Sequence, residues 1–225
     1  MFRNTIVFGS SDGYVRALDT TQGDVVWTYS TAGTIVSSSP VLSNGVVFIG
    51  SRSKQICAID VVTGIEKWKY YTGISMEQSI PGVSNGMVYA AGWYDTYNFH
   101  IAGSLYALDE QTGELKWHAL DSLGFGGALT IANGLIYLPA DDGNFYAVNA
   151  ATGETVWSAT IYPNGSGANI KDGVLYVGGG GMRNIYALDA LTGKTKWTYP
   201  IPNDLITSDP AVGRLRKKNT PAVFL

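Results

Sequence analysis

The sequence is poor in the residues that build most catalytic and metal sites. Its 225 residues include a single cysteine, Cys57, and two histidines, and charged residues make up only 15%. One cysteine excludes an internal disulfide, and the net charge of −3 gives no indication of nucleic-acid binding. No apolar run reaches the roughly 20 residues that span a bilayer. We therefore expect no nucleic-acid partner and no membrane span.

Glycine and tyrosine are abundant where cysteine and charge are scarce. The chain has 28 glycines and 14 tyrosines, and 45% of its residues are apolar. This combination favours an all-β protein with many tight turns and a substantial core. No helical period competes with that interpretation.

One eleven-residue motif occurs five times without gaps. Its copies are ALDTTQGDVVW (17–27), AIDVVTGIEKW (58–68), ALDEQTGELKW (107–117), AVNAATGETVW (147–157) and ALDALTGKTKW (187–197). Each copy ends in a tryptophan, and the spacings between these tryptophans are 41, 49, 40 and 40 residues: Trp27, Trp68, Trp117, Trp157 and Trp197. A fixed period near 40 residues indicates a repeat protein.

A second pattern gives the strands of each repeat. Asn-Gly or Asp-Gly precedes a short apolar run at 44–51, 85–92, 133–140 and 172–179, which is a strong hairpin signal. Each repeat then has four strands, A to D: A precedes this turn, B follows it, C holds the Ala-x-Asp segment and D runs into the tryptophan. The Asp and the Thr-Gly shape the C–D turn. Four antiparallel strands in 40 residues predict a β-propeller blade.

The motif A-x-D-x-x-T-G-x-x-x-W resembles the repeat of the pyrroloquinoline-quinone (PQQ)-like β-propellers. Four of the five copies have Thr-Gly, and the first has Gln22-Gly23 instead. The resemblance covers nearly the whole chain. It implies that the five tryptophans are structural docking residues, each wedged between neighbouring blades against the next Thr-Gly turn. An alternative is that they form stacking platforms for a ligand.

We expect one domain over 1–225 with about five repeats. The units lie near 1–30, 31–71, 72–120, 121–160 and 161–200, with a partial unit at 201–225. The first unit lacks a strand A, and a new strand A follows Trp197. This pattern fits either a closed five-blade ring or a partial arc of a larger propeller, because the tail at 219–225 repeats the first strand B.

Candidate binding residues lie in the loops that lack the repeated turns. The resemblance implies that cofactor and substrate sit on the face of the B–C and D–A loops. The third repeat carries about nine extra residues in its B–C loop, GWYDTYNFHIAG (92–103). Long loops on a rigid scaffold concentrate binding residues, although this loop could also pack its aromatics on the blade. The candidate ligand-binding residues are Trp93, Tyr94, Asp95, Tyr97, His100, Arg52 and Arg183.

The evidence for a cofactor is weak in this sequence. Glu77 lies in a strand A and is a candidate carboxylate for calcium. By resemblance, quinoprotein alcohol dehydrogenases carry two adjacent cysteines over the quinone, whereas Cys57 stands alone inside a predicted strand C. We therefore expect no cofactor, with PQQ and calcium as the alternative.

The first functional hypothesis is a non-catalytic scaffold for binding or assembly, whose partner is a protein or a small molecule on the B–C and D–A loop face. A PQQ-dependent alcohol or sugar dehydrogenase, or a fragment of one, is the second. A sensor module of a larger protein is the third. The resemblance implies a periplasmic or secreted location, although the N-terminus MFRNTIVFGSSDG has no signal peptide.

Overall fold

The computed structural model describes residues 4–35, 38–76, 79–93, 103–163, 165, 167–202, 206, 209–214 and 221–224. Within these ranges the chain is all β, with 23 strands and no helix. The same ranges therefore contain no helix with the length and apolar character that a membrane span requires. The chain forms two compact units, Met1–Gly124 and Phe125–Leu225.

The first unit contains three antiparallel sheets whose strands follow one another in sequence order. Its first sheet has three strands: β1 (Thr5–Gly9), β2 (Tyr14–Asp19) and β3 (Val25–Ser30). The second sheet has four strands: β4 (Val41–Ser43), β5 (Val46–Ser51), β6 (Gln55–Asp60) and β7 (Glu66–Tyr71). A short strand β8 (Ser79–Ile80) precedes the third sheet: β9 (Gly82–Ser84), β10 (Met87–Trp93), β11 (Gly103–Asp109) and β12 (Leu115–Ala119).

The second unit continues the pattern. After the short strand β13 (Gly127–Ala128), one sheet contains β14 (Thr130–Ala132), β15 (Leu135–Pro139), β16 (Asn144–Asn149) and β17 (Thr155–Thr160). The next contains β18 (Ala168–Lys171), β19 (Val174–Gly179), β20 (Asn184–Asp189) and β21 (Thr195–Pro200). The strands β22 (Ala211–Arg214) and β23 (Pro221–Phe224) pair with each other.

These sheets are the predicted blades. The first sheet lacks a strand A, as the sequence indicates, and the next four sheets have all four strands. Strand A of the second repeat is short, because β4 begins at Val41, immediately after Pro40. A proline has no N–H to donate to a ladder, so it commonly precedes a strand.

The two repeated turns have the predicted geometry. At the A–B turn of the fourth repeat, Asn133 and Gly134 have φ angles of 53° and 74°, as a type I′ turn requires. At the C–D turn of the fifth repeat, Asp189 Oδ1 accepts hydrogen bonds from the backbone N–H groups of Leu191 and Thr192 at 3.2 and 3.1 Å. The carboxylate therefore replaces backbone acceptors that a tight turn cannot supply.

Each motif places a small residue opposite its tryptophan. Ala187 faces Trp197 across the C–D ladder, and the register shifts by a bulge just after that alanine. The same pairing and bulge occur in the other four repeats. Alanine leaves room for the indole on one face of the sheet, and the bulge increases the local twist.

The core lies between successive sheets of each unit. In the second unit, one buried cluster combines Tyr137, Phe145 and Trp157 from one sheet with Leu175 and Val177 from the next. The first unit has two clusters of the same kind, each built from neighbouring sheets. A single sheet cannot bury both faces alone, so the repeat depends on stacking.

Three tryptophans contact the C–D turn of the following repeat. The indole Nε1 groups of Trp27, Trp68 and Trp157 donate hydrogen bonds of 2.9, 3.0 and 3.1 Å to backbone carbonyl oxygens there, on Val61, Glu110 and Ala190 in the same order. These three side chains are at most 9% exposed, whereas Trp197 is 43% exposed. That these contacts contribute to the free energy of unfolding of the stacked repeats is a prediction.

Candidate functional site

Each four-stranded sheet has two different ends. The A–B and C–D turns, with their repeated sequences, form the turn end. The B–C and D–A connections vary in sequence and form the loop end. Because variable connections on a regular scaffold are where binding residues concentrate, the loop end is the candidate functional region in both units.

Most of the predicted long loop lies outside the described residues. This applies to Tyr94, Asp95, Tyr97 and His100, and also to the calcium candidate Glu77. Their assignment as site residues therefore stays a prediction. Of the third repeat's candidates, the structure describes Trp93, which is the last residue of β10.

Trp93 is half buried at the loop end of the first unit. Its backbone N–H donates to the carbonyl oxygen of Ser75 at 3.2 Å. Its indole Nε1 is buried and has no hydrogen-bond partner among the described residues, and the same is true of the hydroxyl oxygens of Thr34, Ser75 and Ser79. Buried polar groups are normally paired, and each of these four atoms lies within two residues of a segment outside the described ranges.

Arg52 occupies the corresponding position in the second repeat. It is exposed, and its backbone N–H donates to the carbonyl oxygen of Thr34 at 2.9 Å. Arg52 and Trp93 each follow the Asn of their Asn-Gly turn by eight residues, and Asp141 does so in the fourth repeat. The same repeat position therefore carries a cation, an indole and a carboxylate in three repeats, which is the variation expected of a binding position.

A pocket of about 220 Å³ lies at the loop end of the second unit. We call it the Tyr162 pocket, and its lining residues are Gly126, Pro139, Ala140, Asp141, Gly143, Tyr162, Pro163, Gly165 and Gly181. The pocket brings together B–C and D–A connections that are distant in sequence. The sequence analysis did not identify Tyr162, although an aromatic residue before Pro163 in a D–A connection is a signal that it could have used.

The two aspartates beside the pocket have different environments. Burial tends to raise the pKa of Asp142, but hydrogen bonds from Tyr146 and Asn144 outweigh it and lower that pKa. Asp142 accepts the Tyr146 hydroxyl at 2.6 Å and the Asn144 backbone N–H at 2.9 Å. The pKa of Asp141 is raised, first by burial and then by the neighbouring charge of Asp142. The Asp142 carboxylate is thus occupied by hydrogen bonds within the turn, and the Asp141 carboxylate is the one that can contact a ligand in the pocket.

Arg183, the remaining candidate, also lies at the loop end of the second unit. It is exposed, its φ is 53°, and its backbone N–H donates to Gly180 at 3.3 Å. It is not one of the described residues that line the Tyr162 pocket. The structure therefore places it beside this region without bringing it into the pocket.

The described residues do not fit a quinone site of the alcohol dehydrogenase type. Cys57 is fully buried inside β6, between Ile56 and Ala58, so it cannot contribute to a disulfide of adjacent cysteines. Within the described ranges, no three His, Cys, Asp or Glu side chains are grouped so that they could hold a metal ion.

The fold is shared with several solved propeller proteins. A europium-containing methanol dehydrogenase has a TM-score of 0.76 and 19% identity, over 89% of this chain and 50% of its own. BamB from Moraxella catarrhalis has a TM-score of 0.70 and 18% identity, over 93% of this chain and 64% of its own. A quinohemoprotein alcohol dehydrogenase from Pseudomonas putida HK5 has a TM-score of 0.70 and 19% identity, over 89% of this chain and 41% of its own. This chain thus spans 41–64% of the length of these proteins.

The sequence comparisons point the same way. No protein with a curated description matches the sequence significantly. A family model described as "Outer membrane protein assembly factor BamB" matches residues 11–170 and 141–221. The two matched ranges together include most of the chain and all five copies of the eleven-residue motif. The strand β1 lies before the first matched residue. On this evidence the chain belongs to the PQQ-like β-propeller family.

Proposed function

We propose that this chain is a non-catalytic PQQ-like propeller that serves as a binding or assembly scaffold for a protein partner. The observation that carries the proposal is the match of residues 11–170 and 141–221 to the family described as an outer membrane protein assembly factor. Work on outer membrane proteins would place the chain outside the cytoplasm, in agreement with the location that the repeat implies.

The proposed contact surface is the loop end of the sheets. It offers exposed side chains such as Arg52 in the first unit and Met182 in the second. The predicted binding residues Tyr94, Asp95, Tyr97, His100 and Arg183 belong to the same B–C connections.

Site-specific photo-crosslinking tests this surface. A benzophenone amino acid is introduced in the source cells at Arg52 or Met182 on the loop end, and at Val62 or Leu191 on the turn end. Val62 and Leu191 are 61% and 63% exposed, so they are matched controls. We expect a discrete protein adduct, identified by mass spectrometry, from the loop-end positions only. Equal adducts from both ends, or none from the loop end, would overturn the proposed surface.

A PQQ-dependent dehydrogenase is the second candidate, and the likeness to the methanol dehydrogenase, with a TM-score of 0.76, favours it. Its test is to add PQQ and calcium to the purified chain, and then to measure the quinone absorbance and dye-linked oxidation of alcohols or sugars. We expect neither signal above a sample without protein. Both signals together would replace the scaffold proposal with the enzyme.

A further inference from the structure

Tyr162 has a backbone conformation that disfavours its own side chain. Its φ is 47°, in the left-handed region, where bulky residues are rare. The residues at the same repeat position in the first two D–A connections are Ala32 and Gly73, which also have positive φ. The repeat therefore accepts a small residue here, and the fourth repeat carries a large aromatic one against the local preference. Such an outlier at a pocket is a reason to look for a ligand.

Two backbone hydrogen bonds fix the main chain at Tyr162, and its ring packs against a glycine. Its N–H donates to the carbonyl oxygen of Gly143 at 2.8 Å, and its carbonyl oxygen accepts from Gly181 at 3.0 Å. The ring lies against Gly143, where a Cβ would come within 2.7 Å of the ring atom Cε1. The side chain is nevertheless 47% exposed, so part of the ring is available to a ligand.

Among the described residues that line the pocket beside this ring, Asp141 is the one with a charged side chain. None of the described residues that line it is Lys or Arg. In the described part of the chain, no hydrogen bond or ion pair engages the Asp141 carboxylate. The hydrogen bonds from Asn144 and Tyr146 are accepted by the neighbouring Asp142. The raised pKa of Asp141 agrees with a carboxylate that lacks a positive partner.

The size of the pocket limits what it can hold. Its volume of about 220 Å³ is several times the roughly 30 Å³ that one water takes in the liquid. It is also below the roughly 300 Å³ at which pockets for drug-sized ligands begin. A single side-chain-sized group therefore fits this pocket.

We propose that the Tyr162 pocket binds the aliphatic cation of a partner protein, a lysine or arginine side chain, between the Tyr162 ring and the Asp141 carboxylate. An aromatic face attracts a cation, and a carboxylate gives it a charge-assisted hydrogen bond. Pro139 and Pro163 provide apolar walls for the aliphatic stem. The inference rests on the proposed function, because the partner supplies the cation.

The test uses small probes in place of the partner. The purified chain is titrated with n-butylammonium chloride or n-propylguanidinium chloride, and with n-butanol as the uncharged control of similar size. Amide chemical shifts of Gly143, Gly165 and Gly181 report on the pocket. We expect saturable shifts with both cations, with a dissociation constant on the order of 1 mM, and no saturable shift with butanol.

Two variants assign the binding to the named residues. Asp141→Asn should weaken cation binding by about twofold to fivefold, because Asp141 is exposed to solvent, whereas Asp172→Asn, the same charge change at an exposed A–B turn, should leave it unchanged. Tyr162→Gly should weaken binding by about fivefold, yet it should unfold at the same or a higher denaturant concentration because glycine accepts the positive φ.

The outcomes separate this inference from the proposed function. No saturable shift with the wild-type chain, equal binding of butanol, or an unchanged affinity in Asp141→Asn would each overturn the cation site. Any of these results can occur while loop-end crosslinking succeeds, so the pocket and the scaffold role fail separately. A loss of binding in Tyr162→Gly together with unfolding would show that the ring is structural, and would also overturn the site.

Discussion

The indole Nε1 of Trp157 donates a 3.1 Å hydrogen bond to the carbonyl oxygen of Ala190, in the C–D turn of the next repeat. The same indole belongs to the buried cluster of the second unit and is 9% exposed. Truncating a buried aromatic residue removes its transfer free energy and leaves a cavity. Trp157→Ala should therefore lower the free energy of unfolding by about 3–5 kcal/mol, measured by urea denaturation followed by circular dichroism.

Trp197 provides the matched control for this prediction. It occupies the same motif position, and its ring lies 5.9 Å from that of Tyr176, much as Trp157 lies 6.0 Å from Tyr137. It is 43% exposed, however, so Trp197→Ala should cost clearly less than Trp157→Ala. Equal losses in the two variants would contradict a docking role for the buried tryptophans.

Gly64 tests the same contact from the side of the turn. Its φ is 72°, and a Cβ there would come within 2.7 Å of the Trp27 ring. Gly64→Ala should lose about 1–2 kcal/mol from left-handed strain and about 1–3 kcal/mol more from overpacking against the indole. The measurement is again the free energy of unfolding in urea.

Gly23 separates the two costs of the Gly64 substitution. It has the same place in the first repeat and a φ of 77°, but a Cβ there would meet nothing within 4 Å. Gly23→Ala should therefore show the strain alone. If Gly23→Ala and Gly64→Ala destabilise equally, the Trp27 contact contributes nothing to the preference for glycine.

The repeated elements could be predicted from the sequence because their causes are local. Asn133-Gly134 fixes an A–B turn through its own dihedral preferences, and Asp189 shapes a C–D turn by accepting the backbone N–H groups two and three residues further on. Even the first sheet's missing strand A was evident. The A–B turn signal occurs four times and the C–D motif five times, so a chance match in one copy could not mislead.

The Tyr162 pocket could not be predicted in the same way. Its lining comes from segments around 126, 140, 163 and 181, which the fold brings together. The sequence drew attention instead to the long loop at 92–103, where Trp93 lies at the edge of the described residues. Asp141 and Asp142 cannot be distinguished from the sequence alone. The hydrogen bonds that Asp142 accepts from Asn144 and Tyr146 distinguish them in the structure. Site geometry depends on such long-range placement, whereas blade geometry does not.

The Asp60 turn should give the protein an acid-sensitive element. Hydrogen bonds from the Thr63 backbone and hydroxyl hold the pKa of Asp60 below its usual 3.8, with a smaller contribution from Lys67. A lowered folded-state pKa contributes stability above the unfolded value, and that stability is lost as the pH falls through the folded value. The wild-type free energy of unfolding should therefore fall below about pH 4, measured by urea denaturation between pH 2.5 and 7.

Asp60→Asn tests whether this turn is a source of the acid sensitivity. Asparagine can form the same turn, because Asn149 Oδ1 accepts the backbone N–H groups of Ala151 and Thr152 at 2.8 and 3.2 Å. The variant should stay folded at pH 7 and lose less stability on acidification than the wild type does. An identical pH dependence in both proteins would exclude Asp60 as a contributor.

Cys57 should be unreactive in the folded protein. Its side chain is fully buried, and burial raises the pKa of its thiol to about 11, although a hydrogen bond with Tyr29 acts in the opposite direction. The thiolate is the reactive form, so a disulfide reagent such as dithiobis(nitrobenzoate) should label Cys57 at pH 8 only as fast as the chain opens. Adding urea should accelerate the labelling toward that of a free thiol. Fast stoichiometric labelling of the native protein would contradict this burial.

The raised pKa of the Cys57 thiol also predicts how stability changes at alkaline pH, because the unfolded thiol ionises first as the pH rises from about 9 toward 11. The contribution of Cys57 to stability is thus full below pH 9 and is lost above it, so Cys57→Ala should show a weaker alkaline decline than the wild type.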